Sequence, residues 1–315
     1  MRQHHIPHTD LTVSTLCYGA AAFGTAVQGE DLARLYGQFR AAGGNFFDTA
    51  HCYCCWLPEG DGVSERALGE CVRRGGGREG VVIASKGGHP AISPYYPRPE
   101  YYLAPAVIAG DIDESLARLR VDVIDIYYLH RDDPRLPAGE IIETLNVEIR
   151  RGGIRSLGAS NWTAARIAEA NDYAGAHGLH GFVISQPQWN LAAPTLPLAD
   201  RTLRFLTTED RAWHAATGLP VAPYSSTACG YFATGGLAAA GAYETPASRA
   251  RLLRAECLAT ALSVTPNQIA LAYLLRQDFP VFPILGTTKP THLTDALGAP
   301  DIALSGEQVR WLAEG

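Results

Sequence analysis

The sequence predicts a (β/α)8 barrel, the TIM-barrel architecture, entered through a short N-terminal β-hairpin. Three observations predict it. Apolar segments of strand length alternate with helical patterns eight times without a break, the rhythm of a parallel sheet closed on itself. One of those segments, 121–129 (VDVIDIYYL), is a near-continuous apolar run of the kind a strand buried on both faces needs. No linker or shift in composition divides the 315 residues, so 1–315 is read as one domain, although length alone would suggest about two.

The elements follow in order. Leu11, Val13 and Thr15 alternate in a way that fits a small hairpin within residues 1–15. Segment 16–19 (LCYG) is the first barrel strand. Over 31–42 the spacing turns helical, with Leu32, Leu35, Tyr36 and Phe39 on one face, and Gly43-Gly44 ends the helix. The second strand is 45–49 (NFFDT), followed by helical spacing of Ala67, Leu68, Cys71 and Val72 over 64–74. Strand 81–85, helix 111–120, the strand within 121–129 and helix 140–151 continue the pattern. Next come strand 154–160, helix 163–176, strand 182–186 and a helix near 200–217. Strand 221–225 (VAPYS), a Gly/Ala-rich loop, helices 248–263 and 267–277, strand 281–285 (VFPIL) and a helical stretch near 292–297 complete it.

Composition narrows the partners. A 47% apolar content supports a large core, and a formal net charge of -6 argues against general affinity for nucleic acid or anionic membranes. No apolar run reaches the roughly 20 residues that span a bilayer, and the start of the chain lacks the hydrophobic segment of a signal peptide. A cytoplasmic protein is expected, with its seven cysteines reduced and the sequon Asn161-Trp162-Thr163 unused. Gly75–Gly80 satisfies G-x-G-x-x-G letter for letter, but it follows a helix and precedes a strand. A dinucleotide fingerprint needs the reverse context, so this is a turn.

In a βα-barrel the reactive groups gather at the carboxyl ends of the strands. Here those ends carry Asp48, Lys86, His130, Ser160-Asn161, Gln186 and Tyr224, with Tyr53 just beyond Asp48. A phenol, whose ordinary pKa is about 10, is a weak proton donor until something stabilises its phenolate. A lysine ammonium would do that, an aspartate would hold the lysine, and a histidine would orient a carbonyl oxygen beside the phenol. Protonating that oxygen while a hydride reaches the carbon is carbonyl reduction. General acid assistance of this kind is worth about 10²–10⁴-fold, and the hydride must come from a cofactor.

The segments FFDTAxxY, IASK, DxIDxYYLHR, GxIRxxGASN, the glutamine of ISQPQWN, APYS and PILGTT resemble the aldo-keto reductase family, in family order from about 16 to 297. The resemblance implies a barrel that reduces carbonyls with NADP(H), with NAD(H) as the alternative. It implies Tyr53 as acid, Asp48 and Lys86 as its tuning pair, and His130 for carbonyl orientation. Ser160, Asn161 and Gln186 would bind the nicotinamide carboxamide, with Tyr224 stacked on the ring. Gly19, Ser225 and the loop to Gly230 would line the dinucleotide. Gly286, Thr287 and Thr288 would open the adenosine-phosphate site, closed by His292 and Asp295. The match departs from the family at the 2′-phosphate: Thr288 and His292 stand where basic residues are common, with Lys289 as a substitute and Ala296 in place of Asn. Bidentate guanidinium capture is lost, which gives NADH weight.

Two further features bear on function. His51, Cys52, Cys54 and Cys55 put four metal-binding side chains within five residues but lack the second, distant pair of a zinc site, so no metal is expected there. His4, His5 and His8 read as exposed terminal residues. Loop 89–103 holds four tyrosines and four prolines. Trp56, Tyr95 and Tyr96 are candidates for a substrate wall, and with no long carboxy-terminal lid the expected substrate is a polar carbonyl or alcohol such as a sugar or cyclitol. The reading from another class is a cofactor-sensing regulatory subunit on the same barrel.

Overall fold

The computed structural model describes residues 1–196, 198, 200–237 and 241–315, leaving 238–240 of the Gly/Ala-rich loop outside the described residues. β1 (Gln3–His5) and β2 (Thr12–Ser14) pair antiparallel as the expected hairpin. Ile6, Leu11 and Val13 from this hairpin bury against Phe46, Ile126, Tyr128 and Ile184 of the barrel interior. The hairpin therefore plugs the floor of the barrel, the end opposite the one where strands deliver their last residues.

Seven parallel strands follow: β3 (Cys17–Gly19), β4 (Phe46–Asp48), β5 (Val82–Gly87), β6 (Ile124–Leu129), β7 (Ile154–Ser160), β8 (Phe182–Gln186) and β9 (Ile284–Leu285). From β3 to β8 each pairs with its successor, and β9 returns to β3 with Cys17 opposite Ile284. Close packing inside is visible at Gly158 of β7, where a Cβ would lie 2.3 Å from the Tyr128 ring of β6.

The expected strand 221–225 forms only isolated bridges, Val221 facing Ser185 on one side and Val281 on the other. Proline explains it. Pro187, Pro220, Pro223, Pro280 and Pro283 have no N–H to give, so the ladder is reduced to scattered bonds such as Ala222 N–H to Ser185 O and Ile284 N–H to Pro223 O. The barrel still closes there, but along a thin seam.

The helices on the outside are α1 (Gly29–Ala41), α2 (Val63–Arg74), α3 (Pro105–Leu119), α4 (Ala138–Arg151), α5 (Ala164–His177), α6 (Thr208–Thr217), α7 (Pro246–Leu262), α8 (Pro266–Leu275), α9 (Pro290–Leu297) and α10 (Gly306–Glu314). α1 buries Leu32, Leu35, Tyr36 and Phe39, the face read from its spacing. It ends as expected, with Gly43 in the left-handed region at φ 82°. α3 starts six residues before the expected 111, at a proline suited to the first helical turn. α6 starts eight residues after the expected 200, because Thr207 and Asp210 form a capping box at its N-terminus. α10 lay outside the expected elements; the capping box of Ser305 and Gln308 opens it. No single helix among the described residues is long and apolar enough to cross a membrane.

Candidate active site

The short apolar strands β4 and β5 each finish on a charge. Asp48 is the last residue of β4 and Lys86 the last but one of β5, with His130 directly after β6. Lys86 is 1% exposed, and its Nζ donates to Asp48 Oδ2 at 2.7 Å, Thr49 O at 2.7 Å and Tyr53 OH at 2.9 Å. An ammonium has three protons and no lone pair, so all of its hydrogen-bonding capacity is used. The Tyr53 oxygen must accept, which leaves the phenol's own proton free to donate elsewhere. Asp48 is completed from across the barrel, where Gln186 Nε2 donates to its Oδ1 at 2.8 Å.

Electrostatics follow from burial. Burial pushes the Tyr53 phenol up to about 12, with Asp48 acting in the same direction and Lys86 pulling against both. Lys86 acts in the expected direction, lowering this pKa, but burial outweighs the ammonium and the net shift is upward. Burial alone would lower the Lys86 pKa, but Asp48 and Tyr53 together raise it, so the ammonium persists. Burial holds His130 well below its ordinary range, helped by His89, Arg131 and Lys86. Burial and Arg131 lower His89 to about 4. Near neutral pH the site therefore holds a protonated phenol, a charged lysine and two neutral imidazoles.

His130 stands edge-on to Tyr53, ring centroids 5.9 Å apart, and its Nδ1 lies 3.4 Å from Cys52 Sγ. His89, from the loop after β5, sits edge-on to His130 at 4.8 Å. His89 was missed from sequence; its signal was its place three residues beyond Lys86, at the mouth of the same strand.

The other expected residues form a second group. Ser160 Oγ donates to Gln186 O, and Asn161 Nδ2 donates to His130 O at 3.3 Å and to Ser160 Oγ at 3.1 Å. Tyr224 OH donates to Asn161 Oδ1 at 2.7 Å, which fixes its ring. Asn161, Ser225, Ala228, Cys229 and Gly230 all have left-handed backbone, with φ between 49° and 82°. Such strain costs of order 1–3 kcal/mol per non-glycine residue and gathers at ligand clamps. Asn190, also missed, steadies this turn by donating from Nδ2 to Ser225 O at 3.0 Å. Gly19 ends β3 so close to β9 that a Cβ would lie 2.8 Å from Ile284 Cγ2. Gly286 is exposed with open space around it, and Thr287 O accepts from Tyr18 OH. Thr288 is half-buried, and Lys289 and His292 are exposed.

One expectation needs correcting, at Tyr96, whereas Asp295, half-buried, accepts from Thr265 Oγ1 and Asn267 Nδ2, both at 2.7 Å, and so ties α9 to the start of α8. Tyr96 is 4% exposed, packed with Ala50, Cys52 and Cys55, and its hydroxyl bonds His51 Nδ1 at 2.7 Å. It supports the loop from within and forms no wall. Trp56 and Tyr95 are exposed at 47% and 53%. The Cys/His run disperses: His51 Nε2 meets Glu114 at 2.9 Å, and Cys54 Sγ donates to Ala21 O.

Residues 15–314 match the profile of the aldo/keto reductase family. Norsolorinic acid reductase B of Aspergillus parasiticus is 30% identical over 96% of this chain and 81% of its own. An aryl-alcohol dehydrogenase [NADP(+)] of Phanerodontia chrysosporium is 29% identical over 97% and 83%. The oxidoreductase YrpG of Bacillus subtilis is 28% identical over 99% and 95%. Among solved structures, the thermostable aldo-keto reductase Tm1743, crystallised with epalrestat, superposes with a TM-score of 0.75 at 23% identity, covering 99% of both chains.

Proposed function

We propose that this chain, which belongs to the aldo/keto reductase family and is an NAD(P)(H)-dependent oxidoreductase of carbonyls, uses Tyr53 as its general acid. The observation that carries the reading is the direction of one hydrogen bond: Lys86 donates to the Tyr53 oxygen, so the phenol's proton is the one left to give. That proton passes to the substrate's carbonyl oxygen. The phenolate left behind faces the Lys86 ammonium at 2.9 Å, which stabilises it, while Asp48 and Gln186 keep the ammonium in place. His130, neutral and edge-on to Tyr53, offers an N–H to the same oxygen and sets its direction. In the reverse direction the phenolate takes the alcohol proton.

A nicotinamide dinucleotide, when bound, supplies the hydride in reduction and accepts it in oxidation. The residues present fit that group. The left-handed backbone at Ser225 and from Ala228 to Gly230 is the kind of turn that receives an anion, and Tyr224 offers a ring held by Asn161. Ser160, Asn161 and Gln186 would hold the carboxamide end, Gly19 lets β3 pack against β9 beneath them, and Gly286 leaves room for the chain of the cofactor. Thr287, Thr288, Lys289 and His292 would meet the adenosine phosphate. Lys289 is a point charge there without a guanidinium fork, so NADPH is favoured over NADH only modestly.

The relatives' names give the sugar or cyclitol expectation no support. An aryl aldehyde or aryl alcohol is the substrate class we propose, resting on the aryl-alcohol dehydrogenases among the relatives and on the exposed Trp56 and Tyr95 beside the site. We further take 1–315 as one domain acting in the cytoplasm; the length of the profile match supports the first part.

Tyr53→Phe tests the mechanism. Reduction of an aryl aldehyde should fall by at least about 10²-fold, while NADPH binding, read by fluorescence, stays near wild type. Unchanged turnover would remove Tyr53 from the chemistry.

A further inference from the structure

We propose that Cys52, His89 and His130 form a Zn²⁺ site at the catalytic centre, and that the bound ion blocks carbonyl reduction by holding a cation and its water where the substrate's carbonyl oxygen would meet His130. All three side chains are buried, and one ligating atom from each lies within 4.8 Å of the other two. They come from three successive strand ends, β4, β5 and β6, so no local spacing in the sequence announces them. The dispersed run around Tyr53 supplies one ligand, and its missing distant partners are the two histidines.

The geometry is near that of a zinc centre. Zinc takes thiolate sulfur at about 2.3 Å and imidazole nitrogen at about 2.0–2.1 Å, so a tetrahedral ion separates the two ligand atoms by about 3.6 Å. Cys52 Sγ and His130 Nδ1 lie 3.4 Å apart before any ion arrives. His89 is already oriented as a ligand. Its Nδ1 is 2.7 Å from Pro90 O, and a carbonyl only accepts, so Nδ1 carries the proton and Nε2 the free lone pair. A ligating histidine almost always gives its second N–H to a carbonyl or carboxylate in this way. Of the neighbours, His51 is engaged with Glu114 and Tyr96 and Cys54 with Ala21 O, while the Cys55 thiol hydrogen-bonds Cys52 itself. Binding replaces the S–H bond of Cys52 with a Zn–S bond and releases one proton to solvent. Three protein ligands leave a fourth position for water or a substrate oxygen, the arrangement of an open zinc centre.

The site depends only on the residues above; its effect on turnover rests on the role proposed for His130. The test separates the two. Zn²⁺ titrated into the full-length protein against a chromophoric chelator should give one tight equivalent. Cys52→Ser and His89→Gln, each checked for a wild-type circular dichroism spectrum, should each weaken that equivalent by more than about tenfold. Co²⁺ in place of Zn²⁺ should give a thiolate-to-metal charge-transfer band in the wild type that is lost in Cys52→Ser. Binding unaffected by both substitutions would place the ion elsewhere, for instance on the exposed Cys229 or Cys257, and would overturn the proposal, as would the absence of a tight equivalent. Zn²⁺ should also abolish reduction of an aryl aldehyde, with a chelator restoring it. Tight binding through these ligands with turnover intact would keep the site and refute the inhibition.

Discussion

The carboxyl ends of β4 to β6 and the stretch 286–295, proposed to serve one reaction, are built in opposite ways. At the first, Lys86 has every proton placed, Asp48 is bonded on both oxygens, and the whole set is buried. At the second, Thr287 Oγ1 takes the Lys289 N–H, His292 and Lys289 are exposed, and Gly286 has open space around it. Proton chemistry needs groups that are in position before the substrate arrives, because reorganisation at that moment raises the barrier. Phosphate recognition tolerates a looser surface, since the anion itself gathers the cations and amides around it.

Substitutions on the two sides should therefore differ in kind. Lys86→Met leaves Asp48 buried without its cation. It should lower stability by about 3–5 kcal/mol and reduction by at least about 10²-fold, read together in a thermal melt and a rate assay. A variant that lost activity but kept its melting temperature would show that the buried pair contributes nothing to the fold. Acidification acts next. The His89 pKa is lowered from 6.5 to about 4, so the neutral ring's contribution is fully present above pH 6.5 and is lost as the pH falls from 6.5 through 4. That window should remove about 3 kcal/mol, with His130 shifting in the same direction. Chemical denaturation at pH 7, 5.5 and 4 measures it, and His89→Gln should flatten the curve. The smallest effect belongs to the exposed side. Lys289→Ala should leave the melting temperature unchanged and weaken NADPH but not NADH by under about 1 kcal/mol, the scale of an exposed ion pair. A loss beyond tenfold would show that this stretch is more enclosed when occupied than when free.

How much of this was legible follows the same divide. Asp48, Lys86 and His130 stand out because each is polar directly after an apolar strand, and β7 and β8 were bounded correctly for the same reason. What spacing does not carry is pairing across the barrel. Gln186 bonds Asp48 from 138 residues away, and nothing local in ISQPQ distinguishes that from a glutamine aimed at a ligand. Tyr96 failed likewise: a tyrosine suits a binding surface, and only the packed fold shows its hydroxyl already engaged. His89 hid in a loop with no periodicity to mark it. The seam at 221–225 was misread because its apolar letters fit a strand while its prolines remove the donors a strand needs.

That seam has a mechanical consequence. Hydrogen-bonded ladders open only with large stretches of the fold, whereas regions with few backbone bonds open at low free energy. Along the closure between β8 and β9 the link rests on scattered amides, those of Ser185, Trp189, Val221, Ala222, Tyr224, Phe282 and Ile284. Those protons should exchange with deuterated water well before the ones between β5 and β6. Tyr224 and the turn to Gly230 issue from this compliant stave, so the half of the site proposed to hold the dinucleotide is tied to the barrel by fewer backbone bonds than the proton-bearing half.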